Sequence, residues 1–150
     1  MQAELREAAP TDLKPVVELL ERQLDDNSVR PEGAVLSEAT RRLLEDGSLG
    51  RILIAEVGGR PVGLAVLAFV WTLEHGGRSA WLDELYVEPA HRERGIGRAL
   101  LLAAIDLAAS AGARAIDLEV EPEHERAAHL YEREGFRPHC RSRWVRSLLR

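Results

Sequence analysis

The chain has 150 residues, 45% of them hydrophobic and 30% charged, and a net charge of −5. That length suits one domain with a single good-sized core, and the composition is that of a globular chain, not a disordered one. The acidic balance argues against a nucleic-acid backbone as partner, because gripping phosphates needs clustered excess cations. It is compatible with a cationic substrate, and also with solubility alone. Cys140 is the only cysteine, which rules out an intrachain disulfide and a cysteine-rich metal site. Met1 to Glu7 lacks the pattern of a signal peptide. The longest apolar run, Gly63 to Trp71, is about half of the roughly 20 residues that a membrane-crossing helix needs. A soluble protein of the reducing cytoplasm is expected, with no membrane partner.

In chain order, Leu5 to Ala9 reads as an edge strand. Thr11 then caps a helix whose apolar stripe is Leu13, Val16, Val17, Leu20 and Leu24, ended by Asp25 to Ser28. A loop with Pro31 and Gly33 leads to Ser37, a second cap, before a helix burying Leu36, Ala39, Leu43 and Leu44. Three strands follow. Arg51 to Val57 and Pro61 to Thr72 are joined by the hairpin signal Gly58-Gly59, and a turn at Glu74 to Gly77 precedes Ser79 to Val87. Gly95 to Gly112 reads as a helix with Ile96, Ala99, Leu100, Ala103, Leu107 and Ala108 on one face. Ala115 to Val120 reads as a buried strand, Glu123 to Glu134 as a helix stopped by Gly135, and Phe136 to Leu149 as one or two last strands. This order predicts a single α/β domain spanning residues 1–150, layered around one mixed sheet.

The stretch Leu82-Asp83-Glu84-Leu85-Tyr86-Val87-Glu88-Pro89-Ala90-His91-Arg92-Glu93-Arg94-Gly95-Ile96-Gly97 carries the chemistry. A strand ends, a short loop turns, and two glycines open a long helix. The first N–H groups of a helix lack internal partners and lie at the positive end of its dipole, so this is an anion site. Gly95 and Gly97 remove side chains that would keep a diphosphate from those amides, and Arg92, Arg94 and Arg98 add cationic charge. A Walker loop would need Lys-Ser/Thr where Arg98-Ala99 stands, and a dinucleotide fingerprint would need a small residue at Leu100. A nucleotide-binding domain is therefore disfavoured. Glycines present for packing alone remain the bland alternative.

Arg92-x-x-Gly95-x-Gly97, after Leu85-x-Val87-x-Pro89, resembles the coenzyme A signature of the GCN5-related N-acetyltransferase (GNAT) superfamily. Downstream, Arg126-Ala127-Ala128-His129-Leu130-Tyr131-Glu132-Arg133-Glu134-Gly135-Phe136 is similar to the family's second landmark. The resemblance is specific from Leu82 to Phe136 and covers layout only in the N-terminal half. It implies the GNAT fold: a mixed sheet of about six or seven strands with a splayed central pair and about four helices. It also implies transfer of an acetyl group from acetyl-CoA to an amine by direct attack in a ternary complex. The backbone of Leu85, Tyr86 and Val87 would hold the pantetheine arm, and Arg92, Glu93, Arg94, Gly95, Ile96, Gly97 and Arg98 the diphosphate. Tyr131 matches the family's general acid. His124 stands where the family has an asparagine that helps to bind the cofactor. Dimers among relatives make a homodimer the expectation by analogy.

Attack by an amine requires loss of its proton. Asp83 and Glu84 are the strong candidates for the base, since burial in a central strand raises a carboxylate toward a useful pKa. Strand alternation sends them to opposite faces, Glu84 is preferred, and a surface or ion-pairing role for one or both stays open. The pair resembles acidic residues in polyamine acetyltransferases of the family. That favours a small cationic amine over a protein N-terminus or lysine, and over an idle acetyl-CoA sensor. His75, His91, His124, His129 and His139 show no metal-ligand spacing, so no metal is expected. Cys140 reads as an inert thiol, and Glu121 to Glu125 as a solvated helix start. Trp71, Trp81 and Trp144 read as packing in or beside the sheet, with Trp71 also able to line the acceptor pocket.

Overall fold

The computed structural model describes residues 2–25, 31 and 33–149. The chain divides into two compact units, Met1–Glu119 and Val120–Arg150. The first holds five strands, β1 (Glu4–Glu7), β2 (Gly50–Val57), β3 (Arg60–Thr72), β4 (Gly77–Val87) and β5 (Ile116–Asp117). With them are the helices α1 (Leu13–Asp25), α2 (Gly33–Glu45) and α3 (Ile96–Ser110). The second unit holds α4 (Glu125–Arg133). The α/β class and the four helices agree with the sequence expectation.

Strands β1 to β4 form an antiparallel meander in chain order, and β5 joins β4 in parallel after the α3 crossover. The β2–β3 hairpin turns on Gly58 and Gly59 at φ of 58° and 77°, left-handed values that glycine adopts without steric cost. Alternation divides the sheet into two faces. Ile52, Ile54, Leu64, Val66 and Tyr86 meet Val16, Leu19 and Leu20 of α1, with Leu36, Leu43 and Leu44 of α2 packed against them. On the other face α3 buries Ile96, Leu100, Leu101, Ala104 and Ala108. The buried α3 stripe thus includes Leu101 and Ala104, where the spacing had favoured Ala99, Ala103 and Leu107.

Several boundaries differ from expectation for physical reasons. Thr11 lies in a 3-10 turn, Pro10–Asp12, without a side-chain cap, and α1 opens at Leu13. The chain entry is held instead by Asp12, whose Oδ2 accepts the Ala9 N–H at 2.7 Å and whose other oxygen pairs with Arg6. Ser37 lies inside α2 and caps nothing, since that helix opens four residues earlier at Gly33. Thr40 is the buried residue there, its hydroxyl donating to the Leu36 carbonyl at 2.7 Å, while Ala39 is exposed. The predicted end of α1 at residues 26–28 and most of the following loop lie outside the described residues.

The sheet has five strands, not six or seven. No strand forms over residues 136–149, where Trp144, Val145, Leu148 and Leu149 are exposed. Strand propensity there finds no ladder partner among the described residues, and a strand without one is not stable. β5 is likewise two residues where six were expected, because it pairs with β4 only at Ala80 and Trp81.

Gly50 marks the tightest backbone approach in the sheet. A Cβ there would overlap the Leu67 carbonyl oxygen and lie 2.9 Å from Leu43 Cδ1. Gly50→Ala is expected to cost about 3 kcal/mol, a melting-temperature loss of roughly 10 °C readable by calorimetry.

Candidate active site

β4 positions the site. Val66 of β3 pairs with Glu84, but the next residue, Leu67, pairs with Leu82, so Asp83 is an extra residue in a β-bulge. The bulge reverses the alternation. Leu82 shares the α3 face with Leu67, whereas Glu84 shares the α1 face with Val66 and Tyr86.

Hydrogen bonds at the two ends of β4 show the same reversal. The Ala80 N–H donates to Ala115 O on the β5 side at 2.9 Å, while the Glu88 N–H donates to Val62 O on the β3 side at 2.8 Å. Residues two apart share a side, so the N–H groups of Glu84 and Tyr86 turn to β3. Those of Leu85 and Val87 face the edge that β5 does not cover. The splayed central pair is thus visible as two parallel neighbours sharing only two paired positions.

β4 runs into a 3-10 turn, Pro89–His91, and then into the glycine turn. Glu93 (φ 63°) and Gly95 (φ 78°) are both left-handed, and residues 92–95 are exposed. Such a succession of N–H groups makes an anion-binding concavity. The first α3 hydrogen bond runs from the Ala99 N–H to Gly95 O at 3.0 Å, so the Ile96, Gly97 and Arg98 amides all precede it. A Cβ on Gly95 would meet nothing within 4 Å, and one on Gly97 only Val87 Cγ2 at 3.9 Å. The approach to the turn is open.

The Arg92 side chain does more than add charge to the turn. Its Nε donates to Val87 O at 2.8 Å and its guanidinium lies 5.7 Å from the centre of the Tyr86 ring, tying the turn to the strand end. Glu88, only 6% exposed, anchors the same corner. It pairs with Arg22 of α1 and with Arg60 at 3.1 Å, and its Oε2 lies 3.6 Å from His91 Nδ1. Sequence reasoning missed this junction, since its partners are 28 and 66 residues away from Glu88.

Glu84 is half-buried, and burial pushes its carboxyl up to about 7. The neighbouring Asp83 charge adds to that rise, and a hydrogen bond from Gln23 of α1 opposes it. Asp83 is exposed. Of the two adjacent carboxylates, then, Glu84 has the perturbed environment expected of a proton acceptor near neutrality. Gln23 escaped the sequence reading. The available signal was a polar residue three positions after the buried Leu20, on the same helix face.

In the second unit, Tyr131 lies on α4, half-buried, its ring edge-on to Phe136 at 5.7 Å, and Gly135 (φ 94°) follows the helix. His124 precedes α4 without a side-chain cap bond. Trp71 and Trp144 are 76% and 91% exposed, so neither packs as expected, and only Trp81 is partly covered. His75 Nε2 meets Asp117 at 2.8 Å. Among the described residues no group of His, Cys, Asp and Glu could hold a metal ion, and no helix is long and apolar enough to cross a membrane.

A mixed sheet parted beside a glycine-opened helix is the frame of an N-acetyltransferase fold. The chain belongs to the Acetyltransferase (GNAT) family, whose model matches residues 14–136. It is 42% identical over 88 residues to a mycothiol acetyltransferase of Acidimicrobium ferrooxidans, covering 56% of this chain and 27% of that one. The chain spans roughly a quarter to two fifths of the length of the first curated relatives it matches. An integron cassette protein from the mobile metagenome of Cole Harbour Salt Marsh superposes with a TM-score of 0.85 at 26% identity, over 97% of this chain and 91% of that one. A Clostridium acetobutylicum structure with acetyl-CoA shares the fold at a TM-score of 0.82 and 22% identity, over 97% of this chain and 96% of that one.

Proposed function

We propose that the chain works as one N-acetyltransferase domain, moving the acetyl group of acetyl-CoA to the primary amine of a small, cationic molecule by direct attack in a ternary complex. The observation that carries this reading is a half-buried carboxyl with a pKa of about 7 on the strand that ends at the open glycine turn. The amides from Arg92 to Arg98 grip the diphosphate. The outward N–H groups of Leu85 and Val87 take the pantetheine arm and the thioester carbonyl, where a donor counts most as negative charge grows on oxygen. Glu84 takes the proton of the incoming ammonium. Asp83 lends negative charge beside it, which favours a cationic acceptor.

Tyr131 is the general acid that the second motif implies. Tyr131→Phe keeps the ring and removes the proton, so a fall in kcat of about 10- to 100-fold with little change in KM for acetyl-CoA is expected in steady-state assays. The relatives named mycothiol acetyltransferase support a small-molecule acceptor over a protein N-terminus or lysine. The test is incubation with acetyl-CoA, a panel of small amines and a thiol reagent. Amine-dependent thiol release supports the enzyme, and acetyl-CoA binding without release across the panel supports a sensor.

A further inference from the structure

Glu88 stands between the two proposed grips on the coenzyme. Just before it, Val87 ends the open edge of β4, and just after the Pro89–His91 turn, Arg92 begins the glycine turn. Its backbone is fixed on both sides, the N–H donating to Val62 O at 2.8 Å and the carbonyl accepting the His91 N–H at 2.9 Å. The carboxyl reaches further. Only 8% of the Glu88 side chain is exposed, yet its Oε1 meets Arg22, in the last turn of α1, and Arg60, the first residue of β3, at 3.1 Å. Oε2 lies 3.6 Å from His91 Nδ1, a buried nitrogen with no hydrogen-bond partner among the described residues. Stability alone does not call for this cluster, since a well-packed apolar side chain in place of a buried ion pair is often neutral or stabilising. The Arg22 and Arg60 side chains are 48% and 60% exposed, so water would solvate both without Glu88.

We propose that Glu88 is a positioning residue for the acyl donor: its carboxyl fixes the end of β4 and the glycine turn at one separation, so that the pantetheine arm and the diphosphate are held together. This rests on the acyltransferase reading above and deepens it. When two grips act on one molecule, the second engages at an effective concentration set by how well their spacing matches the ligand. A corner free to pivot between Val87 and Pro89 loses that gain while each grip by itself stays as strong. Pairing with α1 and with β3 holds the corner still, and His91 packs the turn against the same carboxyl. Glu88 acts here through the backbone on either side of it, touching neither half of the coenzyme. Charge alone has the opposite sign. Without Glu88, Arg22 and Arg60 become uncompensated cations close to an anion site, which strengthens the hold on a diphosphate.

The test compares two ligands by calorimetric titration: coenzyme A, which uses both grips, and its nucleotide half, 3′-phosphoadenosine 5′-diphosphate, which uses one. Both carry the same phosphate groups, so a change of protein charge acts on them nearly alike and cancels in the ratio of their affinities. Glu88→Gln keeps the shape and removes the charge. The ratio of coenzyme A affinity to nucleotide affinity is expected to fall about tenfold in this variant. Arg22→Met, on the half-exposed side of the pair, should lower the same ratio by about threefold, and the double variant should fall no further than Glu88→Gln alone. A merely structural role loosens the turn for both ligands equally and leaves the ratio where it was. An unchanged ratio in Glu88→Gln overturns the proposal, whether both affinities fall, rise or stay. If that variant does not fold, an unchanged ratio in Arg22→Met overturns it. In either case a wild type that binds coenzyme A leaves the acyltransferase reading standing. A wild type that does not bind coenzyme A strikes that reading, and this proposal with it.

Discussion

Glu84→Gln is expected to lower kcat with an amine acceptor by about 100-fold or more near pH 7, while acetyl-CoA binds as before. The substitution keeps the shape and removes the proton acceptor, and the glycine turn is a separate segment that follows β4 beyond the Pro89–His91 turn. The pH dependence separates this from a steric effect. A carboxyl pushed up to about 7 passes from mostly protonated to mostly ionised around that value, so wild-type activity should climb as pH rises through 7, and the variant should lack that limb. Toward pH 9 the free-amine fraction of the substrate grows about tenfold per unit, because ammonium pKa values lie near 10. The deficit of the variant should shrink accordingly. Asp83→Asn removes a charge that helps to raise Glu84, so its activity limb should move to lower pH without disappearing.

The same carboxyl affects stability with a definite sign. Its folded value of about 7 lies above the ordinary carboxylate value of the unfolded chain, so the folded state holds the proton more tightly. That contribution is fully present below the ordinary carboxylate range and is lost as pH rises through 7. Wild-type melting temperature should therefore fall, relative to Glu84→Gln, between pH 5 and pH 8. Solvent screening at a half-buried site limits the effect to about 1–2 kcal/mol, a few degrees by calorimetry. Wild-type turnover by Glu84→Gln across this pH range would remove Glu84 from the chemistry.

Local chemistry made much of this site legible before any coordinates. Glycine pairs fix turns by steric freedom, and Gly58-Gly59, Gly112 and Gly135 all take the left-handed backbone expected of them. Arg92 to Gly97 reads as an anion turn for the same reason, since the orphan amides of a helix start are a local property. What eluded the sequence is non-local. The bulge that turns Glu84 toward α1 depends on how β3 and β4 register, and nothing in Leu82-Asp83-Glu84 alone specifies it. Alternation predicted opposite faces for Asp83 and Glu84, but the bulge interrupts that alternation at Asp83, and the local residues do not say which helix Glu84 meets. Gln23 and the Arg22–Glu88 junction are contacts between segments some sixty residues apart. The predicted last strands failed in the complementary way, because a strand-forming composition at Trp144-Val145 is not a strand without a neighbour to pair with.

Gly97→Ala is expected to weaken coenzyme A binding by about 10- to 100-fold while leaving the fold as stable as before or slightly more so. If Gly97 were present for packing, an added methyl group would collide with the protein. Its nearest neighbour would be Val87 Cγ2 at 3.9 Å, which is ordinary contact. Alanine is also the better helix former by roughly 1 kcal/mol, and Gly97 sits within the first turn of α3. Protein packing thus gives no reason for a glycine here, and a ligand pressed against the first amides of the helix does. Gly95→Ala provides the contrast. Its left-handed backbone at φ 78° should cost stability on the order of 1 kcal/mol even though the methyl group meets nothing. Calorimetric titration with coenzyme A, beside thermal melts of each variant, distinguishes the two effects. Unchanged affinity in Gly97→Ala would mean that no phosphate rests on those nitrogens, and a thioester with nothing to hold its far end would not be presented to Glu84.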